Sequence, residues 1–239
     1  MAKTVLVLGA RNLGGAIIDH FLRSGWSAAA VARSEETLER VRSRGALALA
    51  ADASDPGMLA DALATTRREL GSLDAVVNAV TASRPPSSGP FGGGELATAD
   101  LAAFNGWTVA VAEQAFVFLS TAAQALRQSG GGALIQITGG SARRAMPGKG
   151  LWAAGAFATR ALVQAAAQEL RGEGIHVALL AVDATIQSPK TAAFTREQPS
   201  EALADMEQVA SAVAFLVTQG ARALTHELVV TPAGERWVP

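Results

Sequence analysis

Short apolar runs alternate with longer amphipathic stretches along the whole chain, and this alternation limits the folds that the sequence can adopt. The runs, among them Thr4–Leu8 and Ser27–Ala32, are too short for ordinary helices and consist largely of aliphatic and small residues, as in strands buried on both faces. The stretches between them carry apolar residues at helical spacing. Strands separated by helices of this length predict right-handed crossovers and a parallel sheet.

We therefore expect one doubly wound α/β domain over residues 1–239, because no repeat or linker divides the chain. Its sheet should have about seven strands with helices on both faces. Residues 186–206 have weak periodicity and contain two prolines, which indicates a mobile lid on the substrate side. The predicted strands are Thr4–Leu8, Ser27–Ala32 and residues 46–50, 75–79, 133–137, 176–182 and 228–231, and the predicted helices are Pro56–Leu70 and residues 14–24, 35–44, 101–128, 152–171 and 207–218.

The first predicted strand runs into the glycine-rich loop Gly9-Ala-Arg-Asn-Leu-Gly-Gly15. Ligands of such sheets bind at the carboxyl ends of the strands, where glycines let backbone N–H groups approach a pyrophosphate at the start of the next helix. A strand precedes this loop and an amphipathic helix follows it. That context favours a nucleotide site over a plain strand–helix turn.

With these features the chain resembles the short-chain dehydrogenase/reductase family over nearly its whole length. The family's Thr-Gly-x-x-x-Gly-x-Gly loop corresponds to Leu8 through Gly15; either Leu13 replaces the middle glycine, or the loop is one residue shorter and Gly14 is its last glycine. The resemblance implies a single Rossmann-type domain that binds a nicotinamide dinucleotide. The residues that it implies at the cofactor are Gly9, Arg11, Asn12, Leu13, Gly14, Arg33, Asp52, Ala53, Asn78 and Ala79.

Two of these residues resemble family landmarks with a defined role. Asp52, in Ala50-Ala-Asp-Ala-Ser-Asp55, resembles the aspartate that hydrogen-bonds the adenine amino group. Asn78, at the end of the fourth predicted strand, stands for the first Asn of the family's Asn-Asn-Ala-Gly. Its alternative role is a simple strand-end cap.

The choice between the two nicotinamide cofactors is read at the end of the second strand. An acidic residue there accepts hydrogen bonds from a ribose hydroxyl, whereas an arginine accommodates a 2′-phosphate. This chain has Val31-Ala-Arg33 and no acid before Glu35, and Arg11 adds a second positive charge nearby. NADP(H) is therefore favoured over NAD(H), unless Arg33 is a solvated loop residue.

The residues that perform the family's redox chemistry are missing. The family uses a tyrosine as acid/base, a lysine that lowers the tyrosine pKa, a substrate-orienting serine and an asparagine. Alignment through Ala165-Ala-Ala-Gln-Glu-Leu170, which resembles the family's Leu-Ala-x-Glu-Leu, places these roles at Trp152, Ala156, Gly139 and Val111. The chain contains no tyrosine, so no shift of the alignment restores one. An indole exchanges no proton near neutral pH, so Trp152 shapes a pocket, stacks on a ring or fills space.

Three polar residues near these positions are further candidates for the pocket. Thr138 and Ser141 flank the vacant serine position and could orient a substrate carbonyl. Asp183 follows the sixth predicted strand, where the family has Pro-Gly, and is either a replacement acid/base or an ordinary loop cap. The three histidines are scattered and cysteine is absent, so we expect no metal site.

Composition limits the partners and the compartment. A formal net charge of −1, from 20 basic and 21 acidic residues, argues against a nucleic-acid ligand. The sequence shows no signal segment and no uninterrupted apolar run of about 18 residues, so we expect a cytoplasmic protein without a membrane partner. The resemblance also implies a homodimer or homotetramer, assembled through the two long helices predicted at residues 101–128 and 152–171.

Three functions remain open on the sequence. The first is a degenerate family member that keeps its dinucleotide site and acts as a cofactor-responsive binding protein or an inactive partner. The second is a non-redox cyclase or isomerase with Asp183 as its acid. The third is an NADPH-dependent reductase of carbonyls whose proton comes from water or the substrate itself.

Overall fold

The computed structural model describes residues 2–235 and residue 237. Within them, the strands are β1 (Thr4–Leu8), β2 (Ser27–Ala32), β3 (Leu47–Ala50), β4 (Ala75–Asn78), β5 (Gly132–Gly139), β6 (Ile175–Val182), β7 (Thr185–Ile186), β8 (Leu203–Ala204) and β9 (Glu227–Val230). The α-helices are α1 (Leu13–Arg23), α2 (Glu35–Ser43), α3 (Pro56–Leu70), α4 (Leu101–Phe104), α5 (Ala110–Ser129), α6 (Gly150–Leu170), α7 (Ala192–Thr195) and α8 (Met206–Val217).

The main sheet confirms the predicted fold class. Its seven strands lie in the order β3-β2-β1-β4-β5-β6-β9, and every neighbouring pair is parallel. From β1 the strands follow chain order toward one edge, through β2 to β3, and from β4 they follow it toward the other edge, through β5 and β6 to β9. The boundary between β1 and β4 is therefore the topological switch point at which such sheets bind ligands.

Helices cover both faces of the sheet because its strands are apolar on both sides. On β1, Leu6 faces a core that contains Phe118 of α5, while Val5 and Val7 face a second core that contains Phe21 of α1. All five side chains are at most 1% exposed. The alternation follows from the two-residue period of a strand.

The third helix shows how local sequence sets the element boundaries. Asp55 caps its start by accepting a hydrogen bond from the Met58 backbone N–H at 2.8 Å, and Pro56 occupies the first helical position. Gly71 ends the helix in a left-handed conformation, with φ of +82°. These signals are local, and the predicted range Pro56–Leu70 matches the observed helix.

The long helix predicted at residues 101–128 is interrupted. A π-helical segment, Asn105–Val109, separates α4 from α5. Its Gly106 lies directly under the loop after β4: the backbone N–H of Arg84 donates to the Gly106 carbonyl at 2.8 Å. A Cβ at Gly106 would lie 2.2 Å from the Arg84 carbonyl oxygen. The widened turn thus accommodates a loop that sequence periodicity does not reveal.

By length and composition, the stretch Leu101–Ser129 is apolar enough to cross a membrane. In this fold most of the stretch is α5, which packs against α3, α6 and β5. Its side chains Phe118, Ala122 and Leu126 are fully buried there.

Residues 186–206 have more regular structure than their weak periodicity indicated. Strands β7 and β8 pair in parallel, and the Gln187 backbone N–H donates to the Ala204 carbonyl at 2.9 Å. The Thr191 hydroxyl donates to the Ile186 carbonyl at 2.7 Å and orders the turn into α7. Backbone pairing with distant residues, which leaves no periodic signal, sets this structure.

Candidate functional site: a dinucleotide cleft

A cleft of about 730 Å³ lies at the carboxyl ends of the central strands, at the switch point between β1 and β4. It is lined by the loops after β1, β2, β3, β4, β5 and β6. The residues predicted at the cofactor that line it are Gly9, Arg11, Asn12, Leu13, Gly14, Arg33, Asp52, Ala53 and Ala79.

The glycine loop brings backbone very close to backbone. A Cβ at Gly14, the second residue of α1, would lie 1.9 Å from the Gly9 carbonyl oxygen, and Gly9 itself has φ of +83°. Leu13 begins the helix and packs in the core with 8% exposure. This geometry supports the shorter loop of the two alternatives, with Gly14 as the glycine that lets helix and strand approach.

The start of α1 suits the pyrophosphate of a dinucleotide. Asn12 precedes the helix, and its side chain makes no capping hydrogen bond within the described residues. The first turn, with Leu13 and Gly14, lines the cleft at the positive end of the helix dipole. This loop and helix start therefore fit a nicotinamide dinucleotide.

One carboxylate and two guanidiniums meet at the β2–β3 end of the cleft. Asp52 lies 3.6 Å from Arg33 Nη1 and 3.6 Å from Arg84 Nη2. The Ser54 backbone N–H donates to Asp52 at 2.9 Å, and Arg84 Nη2 donates to the Ser54 hydroxyl at 2.7 Å. The Ser54 backbone hydrogen bond is the main cause that lowers the pKa of Asp52, with Arg84 and Arg33 contributing. Asp52 is thus a carboxylate at neutral pH and holds two cations at this end.

Asn78 does not line the cleft; it supports the side chains that do. It is fully buried, and its amide donates to Gln114 Oε1 and to Gln136 Oε1, each at 2.8 Å. Its own Oδ1 accepts from the Val80 backbone N–H at 3.2 Å. Asn78 therefore caps the end of the strand through Val80 and also connects the strand to Gln114 and Gln136 in the cleft wall.

The four positions that correspond to the family's catalytic residues converge on the cleft. Val111, Gly139, Trp152 and Ala156 all line it, although they come from α5, β5 and α6. The helices meet closely because α6 has Gly155 against the π segment, where a Cβ would lie 2.8 Å from the Trp107 carbonyl oxygen. Three separate elements therefore bring these four positions together at the cleft.

Trp152 is part of an aromatic cluster with Phe91 and Trp107. The Trp152 ring centroid lies 4.9 Å from that of Phe91 and 5.1 Å from that of Trp107, and the latter two are 5.1 Å apart. Trp152 alone of the three lines the cleft. The indole therefore packs in the cluster and also forms part of the cleft wall.

The remaining predicted pocket residues divide between the cleft and its surroundings. Thr138 lines the cleft, whereas Ser141 lies in the turn after β5 and is outside the lining. Asp183 is 8% exposed and is also outside the lining, although Val182 and Ala184 beside it belong to the cleft.

The carboxylate of Asp183 lies against the backbone of Gly140, where a Cβ would be 1.9 Å from its Oδ1. Its nearest charged neighbour is Arg144, at 3.5 Å from Oδ2, and this oxygen has no hydrogen-bond partner among the described residues. The carboxylate is therefore held against Gly140 and Arg144, next to residues that line the cleft.

Sequence reasoning missed Arg84, Gln114 and Gln136 as cleft residues. A glutamine inside the apolar strand Gly132–Gly139 was a usable signal, because a buried amide needs a partner. Arg84 gave no such signal, because its place beside Asp52 depends on how the loop after β4 docks on Gly106.

Comparison with known proteins agrees with this geometry. Residues 7–234 match the family described as enoyl-(acyl carrier protein) reductase. A search of curated protein sequences gave no significant match.

Several solved structures superimpose on nearly the whole chain. A short-chain type dehydrogenase/reductase from Mycobacterium ulcerans has a TM-score of 0.83 at 22% identity, covering 97% of this chain and 89% of that chain. ElxO with NADP bound has a TM-score of 0.82 at 18% identity, with 98% of both chains covered. A 3-ketoacyl-(acyl-carrier-protein) reductase from Brucella melitensis complexed with NADH has a TM-score of 0.79 at 21% identity, with 97% of both chains covered. Since the family match extends over residues 7–234, this chain belongs to the short-chain dehydrogenase/reductase family.

Proposed function

We propose that this protein binds NADP(H) in the cleft and does not use the tyrosine–lysine route of hydride transfer, acting instead as a cofactor-responsive binding protein. One observation carries the proposal. The positions Val111, Gly139, Trp152 and Ala156 face the cleft together, and none of their side chains exchanges a proton near neutral pH.

A bound nicotinamide dinucleotide would supply a hydride, so the chain itself would have to hold and release a proton beside it. The titratable side chains that line the cleft are Arg11, Arg33, Asp52, Arg84 and Lys190. Arg33, Asp52 and Arg84 form the group at the β2–β3 end, Arg11 lies in the glycine loop, and Lys190 lies in the segment 186–206. None of them comes from β5 or α6, where the family places its acid.

The preference for NADP(H) is supported by Arg33 and Arg84. The side chains of Arg33 and Arg84 are 67% and 49% exposed, and both lie beside the carboxylate of Asp52. Two cations against one anion leave a net positive charge, which suits a 2′-phosphate. The related solved structures include complexes with NADP, NADPH and NADH, so they do not distinguish the two cofactors. The preference for NADP(H) is therefore argued from the charges of this chain alone.

A second candidate is an NADPH-dependent reductase of a carbonyl compound with non-standard residues. Thr138 favours it, because its hydroxyl lines the cleft and makes no hydrogen bond with the described residues. Such a hydroxyl can orient a carbonyl oxygen, with water supplying the proton. The cyclase or isomerase alternative has less support, because the carboxylate of Asp183 is held against Gly140 and Arg144 and this residue is outside the cleft lining.

Calorimetric titration with NADPH and NADH, followed by NADPH consumption across ketones, aldehydes and quinones, tests the proposal. The expected result is NADPH binding at least about tenfold tighter than NADH, which corresponds to about 1.4 kcal/mol, without consumption. Steady turnover of a carbonyl would favour the reductase. Failure to bind either nucleotide would overturn both candidates.

A further inference from the structure

The aromatic cluster of Phe91, Trp107 and Trp152 is held rigidly at the substrate end of the cleft. Trp107 is only 6% exposed and supports the indole of Trp152 from the protein interior. Phe91 supports it from the outer side and is itself 60% exposed. Trp152 is itself half-buried and is the residue of the cluster that lines the cleft.

The loop that carries Phe91 is anchored through glycines. Gly92 and Gly93 both have positive φ, at +86° and +95°. A Cβ at Gly92 would lie 2.9 Å from Lys149 Cγ, and a Cβ at Gly93 would lie 2.7 Å from Leu151 Cδ1. The backbone therefore lies directly on the start of α6, which only glycine permits. Phe91 is positioned against the indole by this contact.

Besides the indole, the cleft is lined by several small, uncharged residues. Val111, Gly139 and Ala156 line it where the family has asparagine, serine and lysine, so polar atoms are lost and space is gained. The Thr138 hydroxyl is nearby in the lining and has no hydrogen-bond partner among the described residues. An aromatic wall among small side chains, with the Thr138 hydroxyl unpaired among the described residues, suits a planar, uncharged ligand that carries an oxygen.

We propose that this end of the cleft binds a planar aromatic molecule, stacked on Trp152 and bearing a hydroxyl or carbonyl oxygen within reach of Thr138. The inference rests on the proposed function, since it assigns a ligand to the same cleft. Binding of the ring depends on Trp152, whereas binding of the nucleotide depends on the glycine loop and the arginines. The two can therefore be measured separately.

The test is calorimetric titration of the full chain, with and without NADPH, using 2-naphthol and its saturated counterpart decahydro-2-naphthol. The two probes share a carbon skeleton and a hydroxyl, but only 2-naphthol is planar and aromatic. We expect 2-naphthol to bind at least about tenfold more tightly. We expect Trp152→Leu to weaken it about tenfold, Trp152→Phe to stay within about threefold, and Phe91→Leu to weaken it about threefold.

The matched control is Phe215→Leu, because Phe215 is 52% exposed on α8, a helix that belongs to the other core. It should leave both probes and NADPH unaffected. Equal affinity for the two probes, or unchanged 2-naphthol binding in Trp152→Leu, would overturn the inference. Should Trp152→Leu fail to fold, the comparison of the two probes on the unmodified protein decides alone. NADPH binding without 2-naphthol binding would refute the stacking site and leave the proposed function standing. In contrast, 2-naphthol binding without NADPH binding would support the stacking site and overturn the proposed function.

Discussion

At the scale of single residues, Arg84 is the least expected member of the site. It reaches Asp52 and Ser54 from a loop that follows a different strand, and its backbone is fixed on Gly106. Arg33 could be proposed from the sequence because it directly follows a strand. Arg84 could not, because its place depends on a long-range loop contact.

Replacing Arg84 with alanine should weaken NADPH binding about five- to tenfold, and NADH binding less than twofold. The physical reason is the loss of one charge-assisted contact to a 2′-phosphate, reduced by solvent screening because the side chain is 49% exposed. Calorimetric titration with both nucleotides measures the difference. Arg68→Ala, at an exposed arginine of α3, is the control. If Arg84→Ala weakened NADPH and NADH binding equally, a role of Arg84 at the 2′-phosphate would be refuted.

Asp183 and Asn78 show the same limit of sequence reasoning. The sequence identifies Asp183 as an unusual residue and Asn78 as a match to a family landmark, but the direction of each side chain depends on neighbours far away in sequence. Asp183 is directed to Gly140 and Arg144, and Asn78 to Gln114 and Gln136.

At the scale of elements, the junction of β1 and α1 depends on Gly14. Gly14→Ala should cost about 3 kcal/mol of folding free energy or more and abolish nucleotide binding, because the new methyl group would lie 1.9 Å from the Gly9 carbonyl oxygen. Denaturant unfolding and NADPH titration measure both effects. Gly57→Ala is the matched control, since Gly57 is also the second residue of a helix, α3, and only the Asp55 side chain lies near its added Cβ, at 3.3 Å. A Gly14→Ala protein as stable as the control would contradict the close packing.

The last strand of the sheet is held by two histidines. His176 Nε2 donates to the Thr225 carbonyl at 2.9 Å, and His226 Nδ1 donates to the Val177 carbonyl at 3.0 Å. Burial lowers the pKa of His176 below its ordinary value of 6.5, and the neighbouring His226 lowers it further. The folded state thus favours the neutral imidazole.

The unfolded chain therefore binds more protons than the folded one as pH falls below 6.5. Stability should be full above that pH and should decrease as pH falls toward the lowered pKa of His176. Urea unfolding between about pH 5 and 8 measures this slope. His176→Gln, which can still donate to Thr225, should flatten it, and an unchanged slope would rule out His176 as its source.

Element order, strand positions and the glycine loop could be predicted because short-range patterns encode them. The interruption at Asn105–Val109 could not, because Gly106 reads as an ordinary helix residue until the loop around Arg84 is placed on it. The strands β7 and β8 were missed for a similar reason, since two-residue strands carry no period.

At the scale of the whole molecule, α5 and α6 each expose a phenylalanine on their outer faces. Phe116 is 58% exposed and Phe157 is 41% exposed, and the neighbouring exposed positions of α6 include Ala154 and Ala161. An uncovered face of this kind suits a second copy of the chain. We propose that the protein is a homodimer or homotetramer assembled through it.

Light scattering should give a mass that is a multiple of 24.4 kDa at micromolar concentration. Phe157→Glu should shift the protein to the monomer, because an unpaired charge would be buried in the contact. Met58→Glu, at an exposed apolar residue of α3, should not. A monomeric unmodified protein would contradict the proposed assembly.

The central claim is that the cleft holds a dinucleotide but has no proton-relaying side chain at the positions that correspond to the family's tyrosine and lysine. A single-turnover experiment tests it most directly: protein in excess over NADPH is mixed with saturating ketone, aldehyde or quinone, and the NADPH absorbance is followed. We predict that NADPH is bound and that its absorbance decays no faster than without protein. A rapid, complete decay with any of the carbonyl compounds would contradict the account.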